Sequence, residues 1–598
     1  MFALPRLSLA PLLLGVLLFN TSVASFNSCT HDETFIPDAV LRVSVETISQ
    51  SCMPPKDVLL INGTSPGPEL RLTEGRTYWI RVYNDLPNDN TTIHWHGLTM
   101  AVSPFSDGTP QASQWPIPPL HFFDYEINIP VGMAGTYCKS CTSILIFYHS
   151  HVGFQAVSAT GPLIVDDSGP VPYKYDEEKI IFLQDAFSSD DTTIEKGLTA
   201  KPFVWSGESA VILVNGKGGG TADTTVCNAS LSVINVDPKK TYRFRIIGGT
   251  ALSFVSFAIE GHNNLTIIEA DGSYTQPYNT SYLQVGTGQR FSFLLHAQAA
   301  PPKKTFMMQF EARSRPTVTR GFAVLNYGSD LAHAPYPPAT PPMTLPETTV
   351  GFLDYVLRPL IQDEPFPTAA QVTRRVTVRV HQEVSGGRTI WVENNFPWTE
   401  DTPREPYLVS LYKNDGIEFP SMQRALTNGG LDPVTVAFPA EIGEVLEIVI
   451  QNTGSEAGGV DAHPFHAHGK HYWDIGSGPG TYNAAENEKR LIGTSPVKRD
   501  TTMLYVYDTS ASNNTDAGWR AWRLKVVEPG VWMIHCHILQ HMIMGMQTVW
   551  VFGNETDLIR GVPIPEVEGY LVYGGSVMGN ETHWPQVVEF QTDWEDDQ

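Results

Sequence analysis

At 598 residues the chain is longer than one hydrophobic core usually organises, so about three domains are expected. Hydrophobic residues make up 42% and charged residues 17%, an ordinary globular balance, and a formal charge of −24 argues against nucleic acid or an anionic membrane as partner. The plain meaning of that charge is the acidic surface of a soluble extracellular protein.

The first stretch, residues 1–25, carries Arg6, an apolar run from Leu7 to Phe19 and the small residues Val23, Ala24 and Ser25, which together read as a signal peptide. The apolar run is too short to span a bilayer and no later segment is long enough, so a secreted product without a membrane anchor is expected. Sequons at Asn62, Asn90, Asn228, Asn264, Asn279, Asn513, Asn554 and Asn580 fit that route. Of six cysteines, Cys52 with Cys227 is the preferred disulfide. Cys138 and Cys141 form a CxxC with no second pair and no redox-fold context, which is weak support for metal or redox work.

Strand-like alternation recurs at Val40–Thr47, Thr77–Tyr83, Thr241–Ile247, Phe291–His296, Val376–Val380, Val445–Ile450, Trp522–Val527 and Gln547–Phe552. Gly, Pro and Asn clusters separate these runs and no long amphipathic helix is evident, so the chain is predicted to be all-β. TYWIRVYNDLPNDNTTIHWHG, TYRFRIIGGTALSFVSFAIEGHN and VLEIVIQNTGSEAGGVDAHPFHAHG share one plan, an alternating strand, a polar loop and a second strand ending near Gly. Three related β-sandwich units follow, spanning 36–167, 168–345 and 346–598, with the Pro-rich stretch His333–Pro346 between the second and third. Histidine clusters stand at 94–97 (HWHG), 149–151 (HSH) and 463–469 (HPFHAHG). The richest stretch is GVWMIHCHILQHMIMGM, Gly530–Met546. If GVWMIHCH is a strand, Cys536 points to one face while His535 and His537 point to the other, and one segment feeds two metal sites. Cys536, His541 and Met546, with His463, supply a thiolate, two imidazoles and a weak thioether, the donor set of a blue-copper site. The spacing characteristic of structural zinc is missing. The middle unit lacks the histidines, so the first and last units must meet to assemble the second site.

The four histidine motifs, in order and spacing, resemble those of the multicopper oxidases. KPFVWSGESAVILVNGKG from Lys201, KKTYRFRIIGGTALSFVSFAIEGHN and EADGSYTQPY at Glu269–Tyr278 are similar to plant ascorbate oxidase and its fungal, laccase-like relatives. The resemblance implies three cupredoxin-like domains and four copper ions. It gives type 1 copper to His463, Cys536, His541 and axial Met546, and type 2 copper to His94 and His466. The type 3 pair falls to His96, His149 and His537 on one ion and His151, His468 and His535 on the other. The implied reaction couples four one-electron oxidations of a small reductant, an ascorbate-like enediol or ortho-diphenol, to reduction of O2 to water. Laccase-like oxidation of phenols and aminophenols is the alternative. Ferroxidase activity ranks lower without an anchor, and the complete ligand set weighs against a non-catalytic relative.

Other site residues follow from the same resemblance. His541 is expected to present its outer edge to the substrate at the surface, Trp205 and Trp391 to wall the substrate pocket, and Glu208 to accept a proton. Axial Met546 favours easily oxidised donors. The family has one residue where Cys138–Phe147 separate Tyr137 from Tyr148 here, which reads as unspliced sequence or as an outward bulge. Leu539 stands where many relatives carry an acid, leaving Asp107, in SPFSDGT, as the candidate for proton supply. His121, His262, His296, His381, His471 and His583 read as structural, and Met542 and Met544 as packing.

Overall fold

The computed structural model describes residues 26–590 apart from 52, 131–143, 167–168, 170–171, 219–229, 332–337, 339, 363, 401–404, 414–417, 456, 458, 513 and 560–563. The signal peptide, the Cys52–Cys227 pair, Cys138 and Cys141, and much of the Pro-rich boundary lie outside the described residues. The described chain folds into three β-sandwiches in sequence order. In the first, a sheet ordered Lys56–Ile61, Ala39–Ile48, Arg76–Asn84, Phe122–Ile129 packs on one ordered Leu70–Thr73, Thr160–Asp166, Ile144–His149, His94–His96. The second pairs a six-stranded with a five-stranded sheet. The third does likewise, its five-stranded sheet running Ala437–Ala440, Gln547–Phe552, Gly530–Cys536, His463–Ala467, Thr501–Leu504.

Alternation explains the strands and also where the units touch. In Arg76–Asn84, Tyr78, Ile80 and Val82 point into the first core while Thr77, Trp79 and Tyr83, on the other face, are partly exposed. Thr241–Gly248 alternates in the same way, yet its polar positions Arg243 and Arg245 are buried as well. They face the first unit rather than water: Arg243 pairs with Glu269 at 2.7 Å, and Glu269 accepts the Leu145 backbone N–H at 2.7 Å. Buried charges survive there because each is paired.

Two sequence expectations change. Of the segment Cys138–Phe147, residues 138–143 lie outside the described residues and the rest belongs to the strand Ile144–His149, with Phe147 opposite His96 and Pro162. The segment's last four residues are in sheet register, with Leu145, Ile146 and Phe147 in the core. The C-terminal tail, counted with the third unit, returns to the first: Met578–Gly579 extends the first unit's sheet beside Phe122–Ile129, and Gln586–Glu589 pairs with Asn27–Thr30. Among the described residues no helix is long and apolar enough to cross a membrane.

Candidate metal centre

The strand Gly530–Cys536 is bonded to His463–Ala467 with Phe465 opposite Cys536 and His466 opposite His535. The pleat sends Cys536 to one face and His535 to the other, and His537 follows where the strand ends. The short helix Leu539–Ile543 then turns His541 back toward the thiol. Cys536 Sγ lies 3.7 Å from Nδ1 of both His463 and His541, and those two nitrogens are 3.0 Å apart. Met546 is fully buried, and its carbonyl accepts the Cys536 N–H at 3.1 Å. Burial pushes the thiol far up and brings His463 down to about 3. Only a cation can hold a thiolate in such a place.

The other face of the strand meets the first unit. His94, His96 and His466 converge, as do His96, His149 and His537, and His151, His468 and His535. Ring nitrogens face one another at 3.5 Å (His94 and His466), 3.0 Å (His468 and His535) and 3.2 Å (His96 and His537). Nε2 of His149 and of His151 is buried with no hydrogen-bond partner. Lone pairs aimed at one another or at nothing are costly unless a cation collects them. Burial, and after it mutual repulsion, holds His94, His468, His535 and His537 well below the usual imidazole range, so these rings are neutral donors.

Which nitrogen each ring offers is set by the acceptor behind it. Nδ1 of His94 bonds the Asp107 carbonyl at 2.6 Å, that of His466 the Asp500 carbonyl at 3.0 Å and that of His149 the Ser150 carbonyl at 2.8 Å. Nδ1 of His535 bonds the Cys536 carbonyl at 2.8 Å and that of His468 the Asp107 carboxylate at 2.9 Å. All five leave Nε2 facing inward. His96 is reversed: its Nε2 meets Thr501 Oγ1 at 3.1 Å, which leaves Nδ1 free. The donor set and its orientation fit copper at both sites.

The middle unit contributes although it carries no ligand motif. Arg290 reaches Asp500 of the third unit at 2.5 and 2.6 Å and the Leu145 carbonyl of the first at 3.1 Å. Thr287 donates to the His537 carbonyl at 2.8 Å. Gly288, at φ +83°, has no room for a side chain, since a Cβ there would lie 2.9 Å from His537 and 3.1 Å from His96. Asp107 is fully buried beside His94 and His468, and burial pushes its carboxyl up to about 6. Glu400 was not anticipated: partly exposed, it meets Nδ1 of His151 at 3.4 Å and accepts the Gly153 N–H at 2.9 Å. Leu539 is buried, its N–H donating to the Ala251 carbonyl at 3.0 Å.

At the outer edge the expected pocket is rearranged. His541 is only 2% exposed, so its edge is sheltered rather than open at the surface. Trp205 is half-buried with its ring 6.5 Å from that of His541, consistent with a wall. Trp391 is 1% exposed and packs 4.8 Å from His463 and 4.9 Å from His541, buried against both imidazoles. Glu208 is not a free base: Arg315 grips both its oxygens, at 2.7 and 2.8 Å. The same guanidinium binds Asp461 at 2.5 Å, and Asp461 Oδ2 stands 3.7 Å from His541 Nε2. Sequence reading missed both Asp461 and Arg315.

Comparison with known proteins agrees with this geometry. Three family models, each described as multicopper oxidase, match residues 42–170, 177–330 and 402–555. A laccase-like multicopper oxidase 1 of Thermothelomyces thermophilus is 44% identical, with 96% of this chain and 95% of that one aligned. An L-ascorbate oxidase of Cucumis sativus is 32% identical over 83% of this chain and 86% of its own length. The solved structure of a laccase from Botrytis aclada superposes with a TM-score of 0.67 at 23% identity, covering 87% of this chain and 88% of that one, a likeness of fold. The chain belongs to the multicopper oxidase family. It is a copper-dependent oxidoreductase with O2 as electron acceptor, and its sandwiches are cupredoxin-like domains.

Proposed function

We propose that this oxidase is secreted and takes uncharged phenolic or aminophenolic donors, ortho-diphenols among them, in preference to ascorbate. The observation that carries the reading is the Glu208–Arg315–Asp461 cluster against His541. One guanidinium is matched there by two carboxylates, so no cation remains to receive an anionic enediol. A phenol is suited by the same arrangement, because losing an electron makes its hydroxyl strongly acidic and Asp461, although Arg315 holds its Oδ2 as it holds Glu208, is the carboxylate that lies against the ring that takes the electron. Trp205 supplies a flat apolar face for such a donor, and Arg315 lies over that ring at 5.5 Å, fixing it. Secretion is supported by the signal-like start and the sequons, and the division into units beginning at 36, 168 and 346 by the succession of sandwiches, with the tail from Met578 joining the first unit rather than the third.

In this reading His463, Cys536, His541 and Met546 would hold type 1 copper, His94 and His466 would hold type 2, and the remaining six histidines would hold the type 3 pair. Bound there, copper supplies one-electron transfer at the first site and reduction of O2 at the second. The chain does the rest. His535-Cys536-His537 gives a covalent path on the order of 10 Å between the sites. Asp107, held by Thr109 at 2.5 Å and facing the histidine cluster, is a carboxylate placed to take up and pass on protons where oxygen reduction consumes them. Burial of all eight rings excludes bulk water.

The test is kcat/KM for a methoxyphenol against ascorbate in copper-loaded protein, with Asp461→Asn beside the parent. The phenol is expected to be preferred, and the variant to lose roughly 100-fold on it while keeping the blue absorption. A parent that prefers ascorbate would overturn the substrate reading.

A further inference from the structure

The strands Asn27–Thr30 and Gln586–Glu589 form a two-stranded sheet of their own, with Asn27 opposite Glu589 and Cys29 opposite Val587. Side chains two apart share a face of a strand, so Cys29 and His31 project together and Glu589 approaches them on a diagonal. The Cys29 thiol, His31 Nε2 and a Glu589 carboxylate oxygen all lie within 4.8 Å of one another, the first two at 3.5 Å. Thiol, imidazole and carboxylate thus converge from the two ends of the fold, and none of the three belongs to the histidine and cysteine groups of the copper centre.

His31 is prepared as a ligand would be. Its Nδ1 donates to Asp124 at 2.7 Å, and Arg81 grips both oxygens of Asp124, at 2.7 and 2.8 Å, so that carboxylate is ionised and accepts. The Nε2 lone pair is therefore the one turned toward Cys29. Phe35 stacks on the ring at 3.6 Å and Trp79 meets its edge at 4.6 Å, which fixes the plane. A carboxylate behind an imidazole that is locked in one tautomer is the usual support of a metal-bound histidine. Burial first, and then the neighbouring carboxylates led by Glu589, push the Cys29 thiol up to about 12.

We propose that Cys29, His31 and Glu589 form a further metal site, separate from the copper centre, that takes a borderline divalent cation, Zn2+. Three protein donors of N, S and O type with one position left for water suit zinc, which, unlike cupric ion, is not reduced by a lone thiolate. On binding, the cation displaces the thiol proton to solvent. Its work is structural. A sheet of two short strands is marginal by itself, and a cation shared between them fastens both ends of the chain to the first domain.

The experiment uses the full-length copper-loaded protein. After equilibration with Zn2+ and removal of free metal, elemental analysis is expected to find one zinc per chain in the parent and none in Cys29→Ser, with copper content and blue absorption equal in the two. Zinc should also raise Tm in the parent alone. Since the near-isosteric serine is the least disturbing change at Cys29, Co2+ titration of the parent supplies an independent readout, a thiolate-to-cobalt charge-transfer band that Cys29→Ser lacks. Equal zinc in parent and variant, no cobalt–thiolate band, or a peptide map showing Cys29 in a disulfide would each overturn the proposal.

Discussion

Asp461 stands two residues before His463, yet its carboxylate ends against the other imidazole of that site, His541, at 3.7 Å. Nothing in DAHPFHAHG announces this, because the partner that holds Asp461 in place, Arg315, lies 146 residues away. Trp391 makes the complementary point: its type suggested a pocket wall, whereas burial puts it against both imidazoles. His262 shows what a histidine without ligand partners does. It bonds the Glu260 carbonyl and the Tyr327 hydroxyl, each at 2.8 Å, and burial holds it below the usual 6.5. The folded chain therefore stays neutral there at a pH where the unfolded chain takes up a proton, so stability is complete above 6.5 and falls as the pH drops below it. The slope is expected to be a fraction of the ~1.4 kcal/mol per pH unit of a fully shielded group. Thermal melts between neutral and mildly acidic pH check this, and His262→Gln should lose less Tm on acidification than the parent; equal losses would count against it.

At the scale of elements, the period-two pattern made most of the site legible. The alternation in Gly530–Cys536 separates Cys536 from His535, and the structure keeps that separation in its register with His463–Ala467. The strands and the histidine motifs were readable for the same reason, since both depend on neighbours in sequence. What surrounds the ligands was not, because Thr287 with His537, Arg290 with Asp500 and Glu400 with His151 each join segments about 210 to 250 residues apart. The turn after the helix Leu539–Ile543 is a case between the two. Gly545 takes φ +113°, and a Cβ there would meet the Trp391 carbonyl at 2.8 Å and Pro397 Cβ at 2.9 Å. Gly545→Ala is expected to cost about 1–3 kcal/mol and to press Trp391 against the two imidazoles, shifting the blue absorption while leaving the histidine cluster's copper in place. Visible spectra and metal content of the variant decide it, and an unchanged band with unchanged Tm would show that the contact yields.

For the whole molecule, the middle domain is the brace between the other two. Asp500 would be raised by burial, but Arg290 holds it well below the carboxylate range, and the same guanidinium touches the first domain through Leu145. Arg290→Met leaves that carboxylate buried without its cation, and a loss of about 3–5 kcal/mol is expected, with a lower Tm and reduced copper retention. Denaturant melts measure the first and dialysis against a chelator the second; a variant as stable as the parent would mean that the domains hold together without the brace.

His96 and His537 are 441 residues apart in the chain, and the ring nitrogens that face each other at 3.2 Å belong to the first and last domains. During synthesis the early histidines leave the ribosome long before their partners do. No nascent fragment holds the complete cluster, so a truncated product cannot accumulate as a half-active oxidase. Metal loading of the complete cluster therefore requires translation to have passed His537.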